Sequence, residues 1–134
     1  MAKPVEVEIA GKHYAAFFSA AALFRLGDDF GRENTIENIW QALIPEDGSN
    51  PLSPEISERV FAVAAELLAA GAAYVRAGGG EAEDAPTAKQ LAAIITLPEY
   101  VRLHRAVLDA ISDGLGRSVQ TEEDPKKAEA MQGD

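Results

Sequence analysis

The chain has 134 residues, of which 47% are hydrophobic and 25% charged, the balance of one ordinary globular domain. It contains no cysteine, which excludes disulfides, thiolate nucleophiles and zinc sites with cysteine ligands. Its formal net charge of −10 disfavours nucleic acid and anionic membranes as direct partners, because both carry negative charge.

The first patterned segment is residues 5–9, where valine or isoleucine alternates with glutamate as in a half-buried strand. Gly11 supplies a turn, and residues 12–18 have the pattern of a return strand. The sequence therefore predicts a β-hairpin over residues 5–18. We expect one face of this hairpin to pack on the helices that follow.

The register of this hairpin depends on its turn. If Ala10 and Gly11 are the two turn residues, His13 lies opposite Glu8 on the neighbouring strand. Ala10 suits neither of the two-residue turns that hairpins favour, because one needs positive φ there and the other needs glycine. A type I turn with a bulge at Gly11 is an equal alternative, so the register stays open.

Helices are predicted from capping residues followed by apolar repeats at helical spacing. The predicted helices span about 20–30, 35–44, 54–77, 88–95 and 97–115. Their predicted N-caps are Ser19, Asn34 in a capping box with Glu37, Ser53 before Pro54, Thr87 with Gln90, and Thr96. In the first two helices the residues expected to face the core are Leu23, Phe24, Phe30, Ile36, Ile39, Trp40 and Leu43.

The predicted fold is α+β and mainly α, with the N-terminal hairpin packed on four to five helices. Residues 1–116 are predicted to form a single domain. Residues 117–134 are polar and acidic, so we expect a flexible tail there. Residues 60–75 are the most apolar run, but they are short for a membrane span and include Glu66, so we interpret them as part of a core helix.

The Gly11-Lys12-His13 segment is the first place to look for chemistry. Gly11-Lys12 has no glycine five residues before it and no Ser/Thr after it, so it is not a phosphate-binding loop, and we interpret Lys12 as a solvated turn residue. The two histidines, His13 and His104, have no second metal ligand at hairpin or helical spacing except Glu8 beside His13. We interpret His13 as one half of a weak surface ion pair, and His104 as a residue at the edge of the core with one ring nitrogen hydrogen-bonded.

No catalytic residue, metal site or cofactor is predicted from these patterns. An enzyme that uses His13 or His104 is kept as the weakest alternative. The more informative feature is the third helix, which has two apolar stripes at about 100° per residue, whereas a surface helix usually needs one. The first stripe holds Ile56, Val60, Val63, Leu67 and Tyr74, and the second holds Phe61, Leu68, Ala72 and Val75.

Two interpretations of the second stripe stay open. The helix is either a central one with neighbours on two sides, or its second stripe meets a partner helix or another subunit. In the second case the partner-binding residues are Phe61, Leu68, Ala72 and Val75. Self-association is then expected as well, because unsatisfied apolar stripes favour symmetric pairing.

The N-terminal motif has Gly11, Lys12 and Tyr14 at the turn, then Phe18-Ser19 after the return strand and Phe30-Gly31 at the end of the first helix. This order resembles the opening of the tail assembly chaperones of long-tailed, siphovirus-type phages and prophages. The layout up to residue 116 is similar too, including a longer helix that begins near "LSPE". The motif itself covers only the first 31 residues.

The resemblance implies a function without catalysis. Such chaperones bind the long, hydrophobic tape-measure protein in the host cytoplasm before the tail tube polymerises around it, and they are absent from the finished virion. In many phages a ribosomal frameshift appends a second domain that recruits the tail tube protein. The family offers no short set of binding residues to carry over. The main alternative is a small helical adaptor or regulator of another complex.

Overall fold

The computed structural model describes residues 3–45, 50 and 52–116. Within them the chain forms an antiparallel two-stranded hairpin followed by five helices, so the mainly helical α+β prediction is confirmed. The elements are β1 Val5–Ile9, β2 Lys12–Ala16, α1 Ala20–Phe30, α2 Thr35–Leu43, α3 Pro54–Ala77, α4 Ala88–Ile94 and α5 Leu97–Gly114. The tail predicted over 117–134 and most of the predicted loop before α3 lie outside the described residues.

The hairpin turn is of the type that the sequence disfavoured. Ala10 has φ 53° and Gly11 φ 80°, which are the two positive values of a type I′ turn, so the bulge alternative is wrong. The register with Glu8 opposite His13 is confirmed. Positive φ costs an alanine about 1–2 kcal/mol. A tertiary contact favours this turn nevertheless: the Ala10 N–H donates to Oε2 of Glu99 at 3.1 Å.

Helix α3 is the central helix of the domain. It packs against β2 and against each of the other four described helices, so the interpretation as a central helix is confirmed. Its 24 residues are long and apolar enough for a membrane span by length and composition, a test that a core helix also passes. Its buried residues are Ile56, Val60, Val63, Ala64, Leu67, Leu68, Ala70, Gly71 and Ala72.

The closest contact of this core is between the backbones of β2 and α3. Gly71 is buried against the carbonyl group of Ala15, and a Cβ atom on Gly71 would lie 1.8 Å from that oxygen. One turn earlier the Phe17 N–H donates to the carbonyl oxygen of Leu67 at 3.0 Å. The Phe17 ring also packs on Tyr74, with centroids 4.4 Å apart. The end of the hairpin is therefore attached to α3 at a point where the helix has no side chain.

Four of the five predicted N-caps have the expected hydrogen bonds. Ser19 and Ser53 each accept a backbone N–H three residues on, and Thr87 and Thr96 begin complete capping boxes. The capping box predicted at Asn34 is wrong: Asn34 has φ 60° and its side chain makes no cap hydrogen bond. An N-cap residue has an extended backbone, and Asn34 instead adopts the left-handed conformation that asparagine tolerates.

Other hydrogen bonds join α1 to α2 in place of that cap. The Nδ2 of Asn38 donates to the carbonyl oxygen of Phe30 at 2.7 Å, and the Thr35 hydroxyl donates to the carbonyl oxygen of Gly31. The first turn of α2 is therefore attached to the last turn of α1.

Glu99 joins the hairpin turn to α5. Its Oε1 accepts the Thr96 N–H at 3.0 Å in the capping box, and its Oε2 accepts the Ala10 N–H. These two backbone hydrogen bonds lower the pKa of the Glu99 carboxyl below its ordinary value of 4.5, and the bond from Thr96 is the larger cause. At the other end of β1, the Lys3 N–H donates to Oδ2 of Asp113 at 2.6 Å, so α5 is bonded to both ends of this strand.

Gly71→Ala should destabilise the domain although alanine is the better helix former. The added methyl group would meet the Ala15 carbonyl group, so we expect the free energy of unfolding to fall by about 3 kcal/mol, as for severe overpacking. The matched control is Gly27→Ala, because Gly27 is also a buried helical glycine but has its nearest atom at 3.5 Å. The free energy of unfolding of that control should rise by up to about 1 kcal/mol, because alanine is the better helix former. Equal effects in denaturant titrations would contradict the close approach.

Glu99→Gln should lower stability in a pH-dependent way. The pKa of Glu99 is lower in the folded than in the unfolded chain, so the contribution of its charge is present above about pH 4.5 and is lost as the pH falls through the folded value. We expect the two proteins to differ in free energy of unfolding at pH 7 and to converge below pH 4.5. Denaturant titrations at several pH values measure this, and a constant difference would contradict it.

Candidate functional site

The four predicted partner-binding residues do not share one surface. Leu68 and Ala72 are core residues, with 1% and 6% of their surface exposed, while Phe61 and Val75 are half-buried. Phe61 lies about two turns before Leu68, near α4 and α5. The partner role of the four residues stays a prediction, and in this fold only Phe61 and Val75 offer surface for it.

The far end of this stripe is covered by the hairpin and by the segment after α3. Leu68, Ala72 and Val75 line a cleft of about 230 Å³ together with Tyr14 and residues 81–83. That segment is held over the cleft by ion pairs, with Lys12 Nζ to Glu83 Oε1 at 3.7 Å and Arg76 to Asp84 at 3.0 Å. A helical wheel identifies an apolar face but not the element that covers it, which is why sequence reasoning left this face open.

The two histidines lie in different surroundings. His13 is exposed opposite Glu8, yet no ion pair joins the two among the described residues. Lys12 is exposed as predicted, although it pairs with Glu83. His104 is half-buried, and its Nε2 lies 2.9 Å from the carbonyl oxygen of Leu43, which confirms its predicted position at the edge of the core. Within residues 3–45, 50 and 52–116 no group of three potential ligands could hold a metal ion.

One apolar surface feature that sequence reasoning missed lies between α1 and α2. We define the α1–α2 groove by its apolar lining residues Leu23, Phe24, Ile36 and Trp40. The groove has a volume of about 750 Å³ and is open to solvent. Phe24 is 67% exposed, and Trp40, the one tryptophan of the chain, is half-buried.

The expectation that Phe24 faces the core is therefore wrong. The buried face of α1 passes through Ala22 and Leu26, and Phe24 lies about 200° from Ala22 around the helix. About 100° separates Leu23 from Phe24, and in this fold Leu23 packs half-buried at the edge of the core while Phe24 is exposed. The sequence alone does not distinguish them, because adjacent residues of one helix can both be buried, as Leu67 and Leu68 are.

Two charged side chains of opposite sign, Arg32 and Glu37, line the α1–α2 groove. Arg32 forms an ion pair with Asp28 on α1. Glu37 is exposed, and no ion pair joins it to another described residue. The groove therefore has an apolar floor with one charge of each sign in its lining.

A second, smaller apolar depression surrounds Phe61. It has a volume of about 200 Å³ and includes Leu52, Ile95, Leu97 and Tyr100 among its lining residues. Leu97 is 62% and Leu52 is 48% exposed. The Phe61 and Tyr100 rings meet edge to face with centroids 5.4 Å apart, and burial raises the pKa of the Tyr100 phenol. Phe61, one of the predicted residues, thus lines this apolar depression.

Comparison with protein-family models, with curated proteins and with solved structures finds no match to this chain. The functional argument therefore depends on the residues themselves. They offer two open apolar depressions on an acidic domain.

Truncation of Leu68 and of Phe24 to alanine should change the free energy of unfolding by different amounts, because Leu68 is a core residue and Phe24 is exposed. Leu68 is 1% exposed, so its truncation should lower the free energy of unfolding by about 3 kcal/mol through lost burial and a cavity. Phe24 is 67% exposed, and its truncation should cost less than about 1 kcal/mol. Denaturant titrations compare the two. A large loss for Phe24→Ala would show that its ring belongs to the core and that the groove is not a free surface.

Proposed function

We propose that this chain is a tail assembly chaperone of a long-tailed phage or prophage, that it binds the tape-measure protein, and that it catalyses no reaction. The observation that carries the proposal is the open apolar floor of the α1–α2 groove, with Phe24 67% exposed. The resemblance of residues 5–31 to the openings of such chaperones supports the same function. Both supports point to binding through apolar burial.

The physical requirements of such a chaperone agree with these surfaces. A long hydrophobic partner has to be shielded from itself until the tube forms around it, so its chaperone must offer apolar surface. Burying one large exposed side chain contributes about 1.5–3 kcal/mol, so several of them suffice for a reversible complex. A net charge of −10 keeps such a complex soluble through repulsion between copies.

The rest of the proposal follows the family. The chaperone acts in the host cytoplasm, is absent from the finished virion and self-associates through apolar surface. A domain appended by a ribosomal frameshift would recruit the tail tube protein. A helical adaptor of another complex would use the same surfaces with a different partner, so the identity of the partner is what separates the two functions.

Co-expression with the tape-measure protein from the same genome tests this function. We expect the soluble fraction of that protein to rise several-fold and the two proteins to co-purify, because apolar segments of the partner are covered. The control is a double variant, Phe24→Ser with Leu97→Ser, which makes one exposed residue of each apolar surface polar and should lose much of the gain. No gain and no co-purification with the unchanged chain would contradict the proposal and favour the adaptor.

A further inference from the structure

We infer that residues 81–84, which lie over the cleft beside α3, form a strap that opens locally and controls access to Leu68, Ala72 and Val75. The opening is argued from the contacts of the strap alone. Only its use, which is to offer this part of α3 to the tape-measure protein, rests on the proposed function.

The strap lies over the cleft without filling it. Glu81, Ala82 and Glu83 line one side of the cleft, and a volume of about 230 Å³ separates them from α3 and the hairpin. Ala82 brings the one apolar side chain of the strap, and it is only half-buried. A packed core leaves few voids larger than a water molecule, so the contact between the strap and α3 is not core packing.

Both ends of the strap are anchored, while its middle is not. Before the strap, the Gly80 N–H donates to the carbonyl oxygen of Val75 at 3.0 Å. After it, Ala85 packs at the edge of the core and Pro86 is buried. Between these anchors, no backbone–backbone hydrogen bond joins residues 81–84 to any other described residue. The middle of the strap can therefore move away from α3 while its ends stay in place.

Exposed charged side chains hold the strap closed. Nζ of Lys12 on β2 lies 3.7 Å from Oε1 of Glu83. Arg76 on α3 pairs with Asp84 at 3.0 Å and also donates to the carbonyl oxygen of Ala82 at 3.0 Å. Each of the four charged side chains is about half exposed or more. Ion pairs of this kind are weakened by water and contribute little to stability.

The charges of the strap oppose its closure when these two cations are absent. The strap carries the carboxylates of Glu81, Glu83 and Asp84, and Glu6 on β1 lines the same cleft. Like charges this close repel one another unless cations lie between them. A segment with few apolar contacts and no backbone hydrogen bonds opens at a free energy below that of global unfolding. The two cations are therefore the latch of the strap.

The lack of cysteine in the chain makes the opening measurable with a single introduced thiol. Ala72→Cys places that thiol in the cleft, and the matched control is Ala70→Cys, because both alanines lie on α3 and are 6% exposed but Ala70 does not line the cleft. The full native chain is labelled with N-ethylmaleimide, which is uncharged. The thiol at position 72 should react at least about fivefold faster than that at position 70, because local opening exposes only the former.

The double substitution Lys12→Gln with Arg76→Gln removes the latch. In this background the labelling rate at position 72 should rise about fivefold or more, and the rate at position 70 should stay within about twofold. The loss of two cations can only raise the pKa of the thiol, so faster labelling cannot come from a more reactive sulfur. Arg105→Gln removes an exposed ion pair with Asp109 on α5 and should leave both rates unchanged.

Two checks keep the labelling interpretable. Circular dichroism shows whether each variant is folded, and denaturant titrations show whether a faster rate comes from a lower global stability. If Ala72→Cys does not fold, Val75→Cys replaces it, because Val75 also lines the cleft. Its labelling rate should rise in the double variant for the same reason.

The strap is wrong if the rate in the cleft is unchanged in the double variant, if position 70 accelerates equally, or if Arg105→Gln has the same effect. Labelling and co-purification test the strap and the function separately. If the labelling shows local opening but no tape-measure protein co-purifies with the chain, the strap stands and the proposed function fails. If the tape-measure protein co-purifies but the latch has no effect on labelling, the function stands and the strap fails.

Discussion

The backbone contact between β2 and α3 is the constraint on which the rest of the fold depends. Gly71 lets the Ala15 carbonyl group approach the helix, and the Phe17 N–H donates to Leu67 one turn away. The hairpin is thereby placed over the second apolar stripe of α3 and helps to bury Leu68 and Ala72. Because β1 is bonded at both ends to α5, the position of the hairpin also determines where α5 lies.

This arrangement decides which apolar surface is left for partners. The core residues of α3 pack against other elements inside the domain. The open apolar surface therefore lies at the periphery of the domain, between α1 and α2 and around Phe61. The hydrogen bonds from α2 back to the end of α1 hold the two walls of the larger groove together. A binding surface built on two attached helices is preorganised, which lowers the entropy lost when a partner binds.

Much of the fold was predictable because its signals are local. Ser53 before Pro54, and the boxes at Thr87 and Thr96, determine helix starts through contacts within one turn, and each was found from the sequence. Ala10 and Asn34 were misjudged. Ala10 has positive φ in a turn bonded to Glu99, where a contact between distant elements opposes the preference of alanine. Asn34 also has positive φ, a conformation that asparagine tolerates better than alanine does, and it therefore does not act as a side-chain cap.

The sequence by itself determined the element order, the helix starts, the acidic charge and the presence of two stripes on α3, because these follow from residue type and spacing. Only the tertiary structure decided which stripe is covered and that Phe24, beside Trp40, is left open. The physical reason is that a helical wheel ranks the faces of one helix by hydrophobicity. The exposure of a face depends on which neighbour approaches it, and here that approach is set by a glycine and a backbone hydrogen bond.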